Sequence, residues 1–144
     1  MTIKRILEEK GRDVVTLTPS VTLAEVAQVL SEKRIGAIIL VEDNGRLAGI
    51  VSERDIVRVV AARGPDVLTQ LVKEAMTPKV VTVREDMSID EAMRLMTEKR
   101  FRHLPVVDET EQLVGFVSIG DVVKRKISEA EAEASMMRDY INTN

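Results

Sequence analysis

The chain has 144 residues, 44% of them hydrophobic and 31% charged, and its 21 basic and 24 acidic side chains leave a net charge of −3. That is the makeup of a globular protein with enough length for a sizeable core. No apolar run approaches the ~18 residues of a membrane span. The opening MTIKRILEEKGRD mixes acids and bases where a secretion signal needs an apolar stretch, so a cytoplasmic protein away from membranes is expected. The absence of cysteine excludes disulfides, thiolate metal sites and cysteine nucleophiles, and three aromatics without a basic stripe make nucleic acid a poor partner.

In chain order, the β-branched VVTLT at 14–18 predicts a first strand. Thr22-Leu-Ala-Glu25 is a helix-capping signature. Behind it Leu23, Val26, Ala27 and Leu30 recur at i, i+3, i+4 and i+7, the spacing of one helix face. IGAIILV at 35–41 predicts a buried strand, EDNGR a tight turn, and LAGIVS a third strand in hairpin with the second. A closing helix begins near Glu53 and is broken at Ala-Arg-Gly-Pro, 62–65. Residues 67–76 predict a short helical linker ending at Met76-Thr77-Pro78.

The pattern then starts again. Strand 80–83, a Ser88-capped helix carrying Ile89, Ala92, Met93 and Met96, strand 101–107, turn DETEQ, strand LVGFVS and a helix from Ile119 repeat the first series. At an offset of 66, residues 14–59 align with 80–125 without a gap, and 14 of the 46 pairs are identical. Capping alone does not require a match over the whole unit, so the chain is an internal duplication. The units divide as 1–66, a first repeat with an N-terminal segment; 67–127, a linker helix and second repeat; and 128–144, a helical tail. In the tail Ile127, Ala130, Ala134, Met137 and Ile141 form a stripe that needs cover, on the protein's own body or across a dimer. Neither small sheet can bury both faces alone. The simplest α/β (α+β) arrangement therefore packs tandem β-α-β-β-α repeats face to face about a pseudo-twofold axis, with related clefts between them.

The most specific repeated phrase is GIVSERD, residues 49–55, returning as GFVSIGD at 115–121. One reading of its Ser-x-x-Asp is a plain helix cap. The other is a site: Gly49 and Gly115 admit a close approach, and Asp55 and Asp121 are acceptor-only groups able to take both hydroxyls of a ribose. Helix-start amides beside them favour anions.

These phrases, with MTPKVVTV and FRHLPVVDE, resemble the paired cystathionine β-synthase (CBS) domain, or Bateman module, over about residues 1–127. The likeness is greatest to stand-alone pairs. The resemblance implies an adenosine-containing ligand in the inter-repeat clefts: AMP, ADP, ATP, S-adenosylmethionine or NAD(H). It assigns the ribose to Asp55 and Asp121 beside Ser52 and Ser118, and the adenine pocket to Thr16 and Thr82. Ile38 and Leu104, the latter followed by Pro105, supply aliphatic and backbone contacts. Arg102 and His103 are the first candidates for phosphate, Arg58 and Lys124 the second. It also implies a homodimer and an unnamed regulated protein partner.

Catalysis is not expected. One histidine, no cysteine, no Walker-type glycine loop and no metal-ligand spacing leave Asp55 and Asp121 without a nucleophile or electrophile to serve. The alternative to a nucleotide-binding regulatory module is a structural dimerisation module with no small-molecule ligand.

Overall fold

The computed structural model describes residues 1–142, so the last two residues of the 128–144 tail lie outside the described residues. The first half runs α1 (Ile3–Lys10), β1 (Thr16–Leu17), α2 (Leu23–Lys33), β2 (Ala37–Val41), β3 (Leu47–Ser52) and α3 (Glu53–Arg63). The second runs α4 (Ile89–Lys99), β4 (His103–Val107), β5 (Leu113–Ser118) and α5 (Ile119–Asn142). In the first sheet β1 pairs parallel with β2, which pairs antiparallel with β3; β4 and β5 form the second sheet.

The predicted caps are present. Glu25 N–H donates to Thr22 Oγ1 and Thr22 N–H returns to Glu25 Oε2, each at 3.2 Å. Glu91 N–H donates to Ser88 Oγ at 3.0 Å. Both hairpins bulge one residue before the turn, at Leu40/Val41 and Val106/Val107. In the first turn Gly45 sits at φ +85°; in the second, Glu111 holds that place at φ +65°.

Each half has its own core. Leu23, Val26, Leu30, Ile38, Leu40 and Val51 form the first, and Ile89, Ala92, Met96, Leu104, Val106 and Val117 the second. Strand side chains alternate between faces, yet β2 is buried at Ala37 and Ile39 as well as at Ile38 and Leu40. A sheet covered by helices on one face needs a second cover on the other, and the face-to-face repeats supply it.

Two segments depart from the expected layout. Residues 80–83 do not form a strand; only Val83 bridges, to Val106, because 79–81 leave the sheet edge to wall a cleft. The linker is not one helix but two 3-10 turns, Pro65–Thr69 and Val72–Glu74.

The leading segments also exchange places. Helix α1 precedes the first repeat, yet Ile3, Ile6 and Leu7 belong to the second core; Val67 and Val72 precede the second repeat and belong to the first. The backbone bonds mirror each other. Ile3 N–H donates to Met87 O and Ile89 N–H to Met1 O, while Val72 N–H donates to Val21 O and Leu23 N–H to Gln70 O, all at 2.9–3.0 Å. By packing, then, residues 1–10 go with the second repeat rather than with the first as the division at 66 implies. Amphipathic spacing explains it: Ile3, Ile6 and Leu7 present one apolar face, which the second core receives.

Helix α5 is continuous from the second repeat into the tail, and from Ile127 onward its apolar stripe is exposed, with Met137 at 63% and Ile141 at 68%. The stripe does not pack on its own module.

Leu7 is 1% exposed inside the second core. Leu7→Ala should therefore lower stability by about 2–5 kcal/mol, whereas the exposed Met136→Ala should change it by less than about 0.5 kcal/mol. Urea unfolding of the two variants checks this.

Candidate functional site

A cleft of about 370 Å³ lies where the two repeats meet. Its volume is in the range of small-molecule sites. Six positions come in pairs related by the duplication: Gly36 and Arg102, Ser52 and Ser118, and Glu53 and Ile119 all line it. The cleft thus sits on the pseudo-twofold axis. The Gly36 and Arg102 sides are two walls of one space.

Helix α3 starts at this cleft. Ser52 closes the turn as a capping box: Asp55 N–H donates to Ser52 Oγ at 3.2 Å, and Ser52 N–H donates to Asp55 Oδ2 at 2.8 Å. The hydroxyl of Ser52 also donates to that Oδ2, at 3.0 Å. The cap and site readings therefore use different oxygens of one carboxylate. Oδ2 holds the helix start, and among the described residues Oδ1 meets only Arg58, at 3.4 Å, whose side chain is 76% exposed.

On the other wall His103 stacks on Phe116, with ring centroids 5.4 Å apart and planes 12° from parallel. Burial first, and the neighbouring Arg102 charge second, push the imidazole below its ordinary value of 6.5, so it is neutral at pH 7. Its Nε2 faces the first repeat: a methyl group on Gly36 would stand 3.8 Å from both His103 Nε2 and Glu53 Oε1. The small wall at Gly36 leaves the room that His103 and Arg102 face. Val80 and Val81 add an apolar side from the crossover, and Arg54, Lys79 and Arg100 add charge.

Six of the sequence-predicted residues meet here: Ser52, Asp55, Arg58, Arg102, His103 and Ser118. The others do not. Ile38 and Leu104 are fully buried in the two cores, and Pro105 is buried beside Leu104, so these side chains support the walls from behind. Thr82 lines a separate groove of about 640 Å³ between the hairpin turns. Thr16 is exposed on β1 and lines none of the described cavities.

Asp121 is the largest departure. It faces a small hollow of about 140 Å³ with Lys124, and Lys10 of α1 forms part of the same wall. Lys10 Nζ donates to Asp121 Oδ2 at 2.7 Å and to Phe116 O at 2.9 Å. Leu7 lies so close over Gly115 that a methyl group there would come within 2.7 Å of its Cδ atoms. At Gly49 the equivalent methyl would come within 2.8 Å of Thr77 O and 3.0 Å of Met76 Sδ. Both glycines of the repeated phrase thus admit a leading segment of the chain itself. The exchange accounts for the difference between the two acids: the long leader α1 reaches Asp121 with a cation, and the short 3-10 leader leaves Asp55 open.

The sequence reading missed Lys10, Glu53, Arg54, Lys79 and Arg100 at these places. Ile3, Ile6 and Leu7 at helical spacing were the available signal for α1. Arg100 and Lys79 belong to repeated or quoted motifs, but nothing in a linear pattern aims them at one space.

The CBS-domain family profile matches residues 4–62 and 72–128. Among curated relatives, the CBS domain-containing protein YhcV of Bacillus subtilis is 35% identical, over 85% of this chain and 86% of its own. Other relatives are longer: the chain spans 60% of a Methanopyrus kandleri protein to which it is 36% identical, and 66% of an Acidianus ambivalens protein to which it is 35% identical. Among solved structures, the CBS-domain containing protein of Agrobacterium tumefaciens is 43% identical with a TM-score of 0.83, covering 87% of this chain and 98% of that one. A Pyrobaculum aerophilum CBS domain protein complexed with AMP is 31% identical with a TM-score of 0.75, over 84% and 89%. The CBS domain pair of protein MJ0100, in complex with 5-methylthioadenosine and S-adenosyl-L-methionine, is 26% identical with a TM-score of 0.79, over 90% and 98%.

The Lys10–Asp121 contact has a pH signature. Burial alone would raise the Asp121 carboxyl. The hydrogen bond and charge of Lys10, with the bonds from Ser118, outweigh burial and hold it below its ordinary 3.8. A carboxyl lowered by folding stabilises the fold above its unfolded value and ceases to do so as pH falls through its folded one. Asp121→Asn should therefore be less stable than wild type in full at neutral pH, with the deficit shrinking below pH 3.8. Urea unfolding across that range measures it.

Proposed function

The chain belongs to the CBS-domain family, and we propose that it is a non-catalytic regulatory module whose axial cleft binds an adenosine-containing ligand. The candidates are AMP, ADP, ATP and NAD-type dinucleotides, with S-adenosylmethionine tested beside them. One observation carries the reading: of the two duplicated acids, Asp55 opens into a cleft between the repeats with Oδ1 held only by an exposed arginine. An ionised carboxylate of that kind accepts a ribose cis-diol. Arg102 and His103 stand across the space for phosphate, and Val80 and Val81 offer aliphatic cover for a base. The solved relatives with AMP, 5-methylthioadenosine and S-adenosylmethionine support the ligand class.

Regulation follows from where the cleft is. Its walls belong to different repeats, so a ligand that grips both biases how the repeats pack, and a protein partner reads the change. With Lys10 on Asp121, we propose one such ligand per chain.

We also propose a homodimer that covers the exposed α5 stripe. Ala130 and Ala134 are small enough for close helix approach between Ile127 and Met137. Sedimentation should give the mass of a dimer, and Met137→Glu with Ile141→Glu should shift it toward monomer.

Thermal shift against AMP, ADP, ATP, NADH and S-adenosylmethionine tests the ligand, since a true one stabilises by mass action. At least one should raise the melting temperature, with calorimetry giving one site per chain. Asp55→Asn should weaken binding by roughly tenfold or more, the scale of a lost charge-assisted hydrogen bond, and Asp121→Asn should preserve it. A flat response to all five would leave the dimerisation module as the reading.

A further inference from the structure

The cations around the axial cleft exceed what a nucleoside monophosphate needs. Arg54, Lys79, Arg100 and Arg102 all line it, and among the described residues none is ion-paired with a carboxylate. The fifth cation, Arg58, is committed to Asp55. Against the four stands one uncommitted acid, Glu53. Helices α3 and α5 both begin at this space, through Ser52 and Ser118, and add the positive ends of their dipoles. Elsewhere Lys10, Arg12, Arg63, Arg84, Arg125 and Lys126 each meet a carboxylate, while among the described residues Lys33, Arg34, Arg46, Lys73 and Arg94 meet none; what marks the cleft is that four unpaired cations line one space. Like charges left unpaired around one hollow repel each other and favour a multiply charged anion between them.

A phosphate monoester brings about −1.5 to −2 at neutral pH, and each further phosphoryl group adds roughly one more charge. The excess of four cations over one acid matches the larger anion. We infer that the ligand of this cleft carries two or more phosphoryl groups, and that Arg54, Lys79 and Arg100 are the residues that discriminate a di- or triphosphate from a monophosphate. The inference rests on the reading of the cleft as a nucleotide site, and extends it from ligand class to phosphate number. Arg102 and His103 take the first phosphate in that reading. Lys79, entering from the crossover, and Arg100, from the end of α4, reach the same space from other elements.

The test is titration calorimetry of the full chain with AMP, ADP and ATP in EDTA, so that only the protein's cations act. Arg100 has φ +59°, a conformation that asparagine tolerates, so the variants are Arg100→Asn, Lys79→Gln and the two combined. Unchanged melting temperatures without ligand show that they fold. ADP and ATP should bind at least about tenfold more tightly than AMP, the scale of one charged hydrogen bond, and the margin should narrow at higher salt. In the double variant the preference should fall to within about twofold, while AMP affinity changes little. AMP binding as tightly as ADP, or a preference that survives the double variant, would overturn the inference and leave the nucleotide reading standing. If no adenine nucleotide binds, inorganic pyrophosphate and phosphate separate the two ideas. Pyrophosphate bound more tightly, and lost in the double variant, keeps the inference while the adenosine reading falls; neither anion bound removes both.

Discussion

The reciprocal exchange of leading segments is the constraint on which the rest of the structure depends. Residues 1–3 pair with 87–89 and residues 70–72 with 21–23, so each repeat is edged by backbone that precedes the other. These bonds satisfy polar groups that would otherwise stand open at the start of α2 and α4. They also fix the two halves relative to each other, because neither core is complete until the other repeat's leader has docked. Ile3, Ile6 and Leu7 in one core and Val67 and Val72 in the other are the apolar side of that exchange.

The exchange is symmetric in backbone and asymmetric in reach. An eight-residue helix carries Lys10 onto Asp121; a pair of 3-10 turns brings Met76 and Thr77 over Gly49 and stops short of Asp55. One duplicated phrase therefore does two jobs. At Ser118 the acid caps a helix and anchors α1 through an ion pair, with Arg125 and Glu9 2.8 Å apart beside it. At Ser52 the acid caps a helix and keeps an oxygen toward the cleft. The structural difference lies outside the phrase, in what precedes each repeat.

That explains how much the sequence could show. Capping signatures at Thr22, Ser52 and Ser88, the strand pairs and their hairpins were legible because each is local: a period, a cap or a turn within a dozen residues. The duplication was legible because 14 identities at one offset leave no other account. Asp55, Ser52, Arg102 and His103 could be named from the phrases that carry them. The fate of Asp121 could not, because its partner is 111 residues away in a segment with no counterpart in the aligned units. Strand 80–83 failed for a related reason. VVTV has the right residue types, and a tertiary role as cleft wall overrides the local preference.

The divergence between the repeats is best understood across the axis. Duplication by itself makes a symmetric space, with the same side chain on both walls. Here Gly36 faces the wall that carries Arg102, and Glu53 the wall that carries Ile119. A guanidinium at both positions 36 and 102 would crowd and repel in a cleft of about 370 Å³; glycine at both would leave it without charge. Splitting the pair gives volume on one side and charge on the other. His103, held neutral by burial and by Arg102, fits the same division: it supplies a flat stacked surface at the charged wall without adding to the repulsion there. The loss of symmetry at 36/102 and the closing of Asp121 by Lys10 then act together, turning a space with two equivalent orientations into one with a single preferred direction.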